Sequence, residues 1–87
     1  PRDPRPMIQL YYDTSCPFCV RVLDFLARDE IPFEQKEISL GGDSPTRQEL
    51  VRLSGRSQVP FLVDPERDVQ MHESIDIIDY IKQHYAE

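Results

Sequence analysis

The chain has 87 residues, room for one small domain with a single modest core. Its 39% hydrophobic and 30% charged residues fit a folded, well-solvated unit, and 10 Lys plus Arg against 16 Asp plus Glu give a formal charge of −6. That acidity argues against a basic face for nucleic acid or anionic membrane, and no apolar run approaches the roughly 18 residues needed to span a bilayer.

The proline-rich lead-in over residues 1–6 reads as extended and disordered, with neither signal nor transit character. Residues 7–87 form the folded domain. Residues 7–13 read as a first strand with two aromatics and no helical stripe. Thr14 and Ser15 are candidate caps for a helix over about 17–29, with Pro17 suited to its first turn. Val20, Leu23, Leu26 and Ala27 recur there at helical spacing. Ile31-Pro32 ends that helix, and the alternation over 33–39 suggests a second strand. Gly41-Gly42 turns the chain. Ser44-Pro45 then starts a helix whose apolar face is Leu50, Val51 and Leu53, ending near Gly55.

Residues 59–63 read as a third strand with a proline near its start. A turn over 64–68 leads into a short fourth strand, 69–71, forming a hairpin. The last helix, from 73 to about 85, places Ile75, Ile78, Ile81 and Tyr85 on one face and Asp76, Asp79, Lys82 and Gln83 largely opposite. The order is β-α-β-α-β-β-α, with no internal repeat and no second domain. A right-handed β-α-β crossover followed by an antiparallel hairpin and a covering helix gives a four-stranded mixed sheet flanked by three helices. That is an α/β fold of the thioredoxin-like type.

Three constellations carry chemistry. Cys16-Pro17-Phe18-Cys19 falls at a strand-to-helix junction, where helix dipole and free N–H groups favour thiolate. Cys16 is the exposed nucleophile, and Cys19, one turn in, is placed to resolve a mixed disulfide on it. A structural zinc site would need two more ligands, with His72 and His84 the non-carboxylate candidates, and His84 lies at the far end of the last helix. No metal site is expected. Two cysteines in one motif do not make a secreted disulfide scaffold, so a reducing cytoplasm is the expected compartment.

Gln58-Val59-Pro60 is the second. A cis Pro60 is favoured here over a trans proline guarding a strand end, because the cysteine motif lies opposite. Val59 N–H and C=O then face outward, free to pair with an extended peptide-like substrate. The third is His72-Glu73-Ser74 ahead of the last helix. Ser74 with free first-turn N–H groups suits a carboxylate, and Glu73 suits an ammonium, together an α-amino acid end. An ordinary helix cap is the competing reading of that motif taken alone.

These residues, with the segment Met71-His72-Glu73-Ser74-Ile75-Asp76-Ile77-Ile78-Asp79-Tyr80-Ile81, resemble the glutaredoxin family and the N-terminal domain of glutathione transferases. The resemblance covers nearly everything after the lead-in. It implies a glutathione-dependent thiol–disulfide oxidoreductase that reduces disulfides or glutathionylated proteins. Cys16 and Cys19 would be the redox pair, with glutathione bound along Cys16, Phe18, Gln58, Val59, Pro60, Glu73 and Ser74. A monomer is expected.

Three departures stand out. Asp13 occupies a place where many glutaredoxins carry Lys, and a carboxylate facing the sulfur would oppose the thiolate. Phe18 replaces the commoner Tyr, and these 87 residues are not expected to include the helical second domain of transferases. Two alternatives therefore stay open: a glutathione-binding or [2Fe–2S]-carrying module with weak catalysis, and a detached N-terminal domain of a transferase-like protein. Arg56 is a candidate for the glycyl carboxylate, with a solvated loop charge as the other reading.

Overall fold

The computed structural model describes residues 8–38 and 44–85; the lead-in and the Gly41-Gly42 turn lie outside them. The elements follow the expected order: β1 (Gln9–Tyr12), α1 (Pro17–Arg28), β2 (Glu34–Glu37), α2 (Pro45–Ser54), β3 (Phe61–Asp64), β4 (Val69–Met71) and α3 (Ser74–His84). One mixed sheet runs β2-β1-β3-β4. β1 pairs parallel with β2 and antiparallel with β3, and β3 pairs antiparallel with β4. This is the four-stranded, three-helix thioredoxin-like architecture.

The central strands alternate between two cores, because a sheet covered on both faces buries successive side chains on opposite sides. Leu10, Tyr12 and Leu62 pack with Cys19, Val22, Phe25 and Leu26 of α1 and Ile77 and Ile81 of α3. Tyr11, Phe61 and Val63 pack on the other side with Ile38 and Leu50. Registers Leu10↔Leu62 and Tyr11↔Phe61 keep each pair on one face. Leu50 is the buried residue of α2; polar links supplement it, with the Tyr11 hydroxyl donating to Glu49 and Lys36 Nζ 3.3 Å from Glu49 Oε1.

Each helix keeps part of the face read from the sequence, with Leu23 and Leu26 in α1, Leu50 in α2 and Ile78, Ile81 and Tyr85 in α3 packed on the cores, and departs from it elsewhere. In α1 the inward residues are Cys19, Val22, Phe25 and Leu26, with Leu23 partly buried. Val20 is 38% exposed and Ala27 also faces solvent. The helix is apolar on several sides, so spacing alone accommodates two rotations. In α3, Ser74, Ile77 and Ile81 point inward and Ile75 is 63% exposed. Isoleucines at 75, 77, 78 and 81 likewise fit two stripes. In α2, Val51 and Leu53 are exposed, and Leu50 is the one residue of the helix that is buried.

Strand ends also shift. β3 begins at Phe61, after Pro60, and runs through Asp64, which is buried at the strand end. Thr14 and Ser15 do not cap α1; its N-cap is Cys16, without a side-chain cap bond. Ser44 does cap α2, its side chain accepting from Arg47 N at 3.2 Å. Gly55 closes α2 at φ +83°, donating to Val51 O, a conformation that favours glycine. Among the described residues, no helix is long and apolar enough to cross a membrane.

Candidate functional site

The β1–α1 junction folds around Asp13. Its buried carboxylate accepts from Ser15 N at 2.9 Å and Ser15 Oγ at 2.8 Å, an Asx-type turn. Cys16 N donates to Asp13 O at 3.1 Å, and Val20 N donates to Cys16 O at 3.0 Å. Cys16 thus becomes the N-cap of α1, with Pro17 supplying the first helical position. The carboxylate that motivated the cluster-carrying alternative is engaged by Ser15.

Cys16 is half-buried and Cys19 fully buried, both as free thiols. The Cys19 sulfur accepts from Asp13 N at 3.5 Å. Burial pushes the Cys19 thiol up to about 12; the Asp13 N–H pulls the other way, and the Cys16 side chain adds to the rise. Cys19 is therefore held as a thiol at neutral pH.

A cleft of about 410 Å³ lies nearby. Phe18, Gln58, Val59, Pro60, Glu73 and Ser74 all line it, drawn from α1, the loop before β3 and the start of α3. Neither cysteine is part of that lining; Cys16 is two residues from Phe18, at the helix end beside the cleft. The Val59–Pro60 peptide is cis. Among the described residues, Val59 N–H and C=O take no hydrogen bond. At α3, Glu73 is the N-cap, and no side chain caps the helix. Ser74 is 7% exposed in the first turn, where backbone N–H groups are open to an acceptor. It is the first helical residue, so the ordinary-cap reading of Ser74 does not hold.

Arg21, His72, Ile75 and Asp76 also line the cleft, with no role assigned from sequence. Arg21 lies one turn beyond Phe18, and Ile75 and Asp76 complete the α3 turn that Ser74 begins, so helical spacing could have found them. His72 packs on the Phe61 ring at 4.6 Å, and its Nδ1 is 3.5 Å from Arg56 Nη2. Guanidinium only donates, so Nδ1 accepts and the ring proton sits on Nε2, which is buried without a partner. Burial, then Arg56, push the His72 imidazole below its ordinary value against the pull of Glu73. Arg56 thus meets His72 and is not part of the cleft lining. His84 stacks on Tyr80 at 4.5 Å in the last turn of α3. Among the described residues no three His, Cys, Asp or Glu gather as a metal site.

Glutaredoxin 3 of Escherichia coli K12 is 30% identical over 53 residues, which is 61% of each chain. Prostaglandin E synthase 2 of Mus musculus is 32% identical over 77 residues, 86% of this chain but 19% of that protein. The structure of glutaredoxin 2 of Salmonella typhimurium in complex with glutathione superposes with a TM-score of 0.71 at 26% identity, covering 88% of this chain and 33% of that one. The chain therefore spans less than two thirds of each of these relatives. The family described as "Glutathione S-transferase, N-terminal domain" matches residues 10–87. With that match over nearly the whole chain, and the sheet order and cleft described above, the protein belongs to the thioredoxin-like family of glutathione transferase N-terminal domains and glutaredoxins.

Proposed function

We propose that the chain is a glutathione-dependent thiol–disulfide oxidoreductase. The reading is carried by one cleft that combines the unpaired backbone of Val59 with the uncapped first turn of α3 at Glu73 and Ser74, beside the helix end bearing Cys16. Val59 would pair with the cysteinyl backbone of glutathione in a short two-bond ladder. Ser74 and the first-turn N–H groups would take the γ-glutamyl carboxylate, and Glu73 its ammonium. Phe18, Gln58 and Pro60 would flank the tripeptide. The glutathione held by the Salmonella relative supports this ligand class.

The chemistry is thiol–disulfide exchange. The Cys16 thiolate attacks the glutathione sulfur of a glutathionylated protein, forming a Cys16–glutathione disulfide and releasing the protein thiolate, which takes up a proton. A second glutathione, as thiolate, attacks that disulfide, and oxidised glutathione leaves as Cys16 is regenerated. The net reaction consumes one free glutathione: the glutathionyl group taken from the protein and that second glutathione leave together as oxidised glutathione, and the protein recovers its thiol. In the dithiol branch Cys19 loses its proton, attacks Cys16 and expels glutathione. Burial raises the Cys19 thiol to about 12, so its attack on Cys16 requires the loss of that proton.

The test is hydroxyethyl-disulfide reduction with glutathione, coupled to glutathione reductase, on wild type, Cys16→Ser and Cys19→Ser. Wild-type turnover no faster than Cys16→Ser refutes the reading. A second reading, a glutathione-binding unit of a longer transferase-like protein, is favoured by the family match and by the share of each relative that the chain spans. It predicts glutathione binding that survives Cys16→Ser with no disulfide turnover in wild type.

A further inference from the structure

A second depression, about 490 Å³, lies along α1 where it meets α3. Pro17, Val20, Phe25 and Ile78 give it an apolar floor. Its walls carry Arg21, Arg28 and Lys82 against one carboxylate, Asp24. In a chain of formal charge −6 this is a local reversal of sign. Arg28 shares its charge with Asp29 at 3.3 Å, but among the described residues neither Arg21 nor Lys82 has an ion-pair partner. Arg28 and Lys82 lie over the Phe25 ring at 5.4 and 5.9 Å, which holds both cations beside the apolar floor.

The groove also continues the glutathione cleft. Arg21 lines both, and Pro17 at the near end follows Cys16 directly. From Pro17 to Arg28 the helix rises about 16 Å at 1.5 Å per residue, the length of about five extended residues. A polypeptide whose cysteine is joined to glutathione in the cleft would have its flanking residues near this groove, since Arg21 lines both.

We propose that the groove binds the segment flanking the substrate's cysteine, and that the preferred occupant is an acidic stretch with interspersed apolar residues. Carboxylates would meet Arg21, Arg28 and Lys82, and the apolar residues would cover Val20 and Ile78. This assigns a substrate class to the proposed oxidoreductase and rests on that reading.

The experiment uses two glutathionylated peptides of equal length, one flanked by Glu, Leu and Asp, the other by Lys, Leu and Arg. Release of peptide thiol is followed for wild type and for the double variant Arg28→Glu/Lys82→Glu. Wild type should favour the acidic peptide by about tenfold in kcat/KM, mostly through KM, with the gap shrinking as salt screens exposed charges. The double variant should lose that preference and keep hydroxyethyl-disulfide turnover. Binding of the same peptides with Ser in place of the modified Cys, read by fluorescence anisotropy, is independent of redox chemistry. If disulfide turnover is absent but the acidic Ser peptide still binds in a salt- and Lys82-dependent way, the oxidoreductase reading fails and the groove assignment stands. Equal handling of the two peptides, a preference indifferent to salt or to the double variant, or binding of phosphatidylserine vesicles in place of the acidic peptide overturns the proposal. Should the double charge reversal not fold, Arg28→Gln/Lys82→Gln makes the same comparison.

Discussion

Asp64 offers a quantitative test of how this small domain is held together. Its side chain is fully buried at the end of β3. Oδ2 accepts from Tyr80 Oη at 2.6 Å, Tyr85 Oη at 2.7 Å and Arg67 Nη1 at 3.4 Å, and Oδ1 accepts from Glu66 N at 3.1 Å. Arg67 also donates to Tyr85 Oη at 2.9 Å and lies over that ring at 5.2 Å. One carboxylate thus ties the β3–β4 turn to the last turns of α3. Asp64→Ala would strand two phenolic donors and one backbone N–H, and breaking one side of a buried charged network costs ~3–5 kcal/mol. Asp64→Asn keeps an oxygen for the turn and can donate to a phenol, so ~1.5–3 kcal/mol is expected, the value of a hydrogen bond to a charged group.

A chain of this length has a total stability of ~4–13 kcal/mol at 0.05–0.15 kcal/mol per residue, so Asp64→Ala should be close to unfolded or lose ~15–30 °C in Tm. Urea melts of both variants at pH 7 measure this directly. A cost under ~1 kcal/mol for Asp64→Ala would refute the network as a stabilising unit. The pH dependence has a definite sign. Burial opposes ionisation of Asp64, but the Tyr80 and Tyr85 hydroxyls, the Glu66 N–H and Arg67 outweigh it and hold the carboxyl below its ordinary value. The stabilisation is therefore present above the unfolded carboxyl value of about 3.9 and lost as pH falls through the lower folded value. At the alkaline end, burial and then Asp64 raise Tyr80, and the same causes raise Tyr85 to about 12. That contribution is complete below the unfolded value near 10 and is lost as pH rises through the folded values. The gap between wild type and Asp64→Asn should narrow at both extremes.

Leu50→Ala removes the buried anchor of α2 and should cost ~2–5 kcal/mol while leaving far-ultraviolet signals from the α1–α3 layer largely intact in the folded fraction. Glu73→Gln should raise the KM for glutathione about tenfold with little change in kcat, since it removes a charge from substrate binding. Ser74→Ala should have a smaller effect, because the first-turn N–H groups remain, and equal KM values across wild type and both variants would remove α3 from the site. Cys19→Ser should retain deglutathionylation and lose dithiol-dependent reduction of protein disulfides, as followed by insulin turbidity. Loss of both reactions in a folded variant would contradict its role as resolver alone.

The order of elements and both ends of the cleft were legible because their signals are local. Pro17 after Cys16 and Ser44-Pro45 mark helix starts by backbone chemistry that needs no partner. Gln58-Val59-Pro60 and Glu73-Ser74 flank strand and helix ends in the same way, and the fold brings them into one cleft with Phe18. Helix rotation is a different kind of information. Val20 and Val22, or Ile75 and Ile77, are equivalent hydrophobes, and only contact with Leu10, Tyr12 and Leu62 across the sheet decides which turns inward. Asp64 was hidden for the same reason: its place in a turn-like Asp-Pro-Glu-Arg-Asp run accounted for it locally, whereas its partners Tyr80 and Tyr85 are 16 and 21 residues away. His72 combines both cases. The sequence places it beside Glu73, but its tautomer depends on Arg56, from the loop before β3, and burial first and Arg56 second lower its pKa. A buried Nε2–H without a partner, next to the residue proposed to hold the ammonium of glutathione, arises from that long-range contact and has no signature in the local pattern.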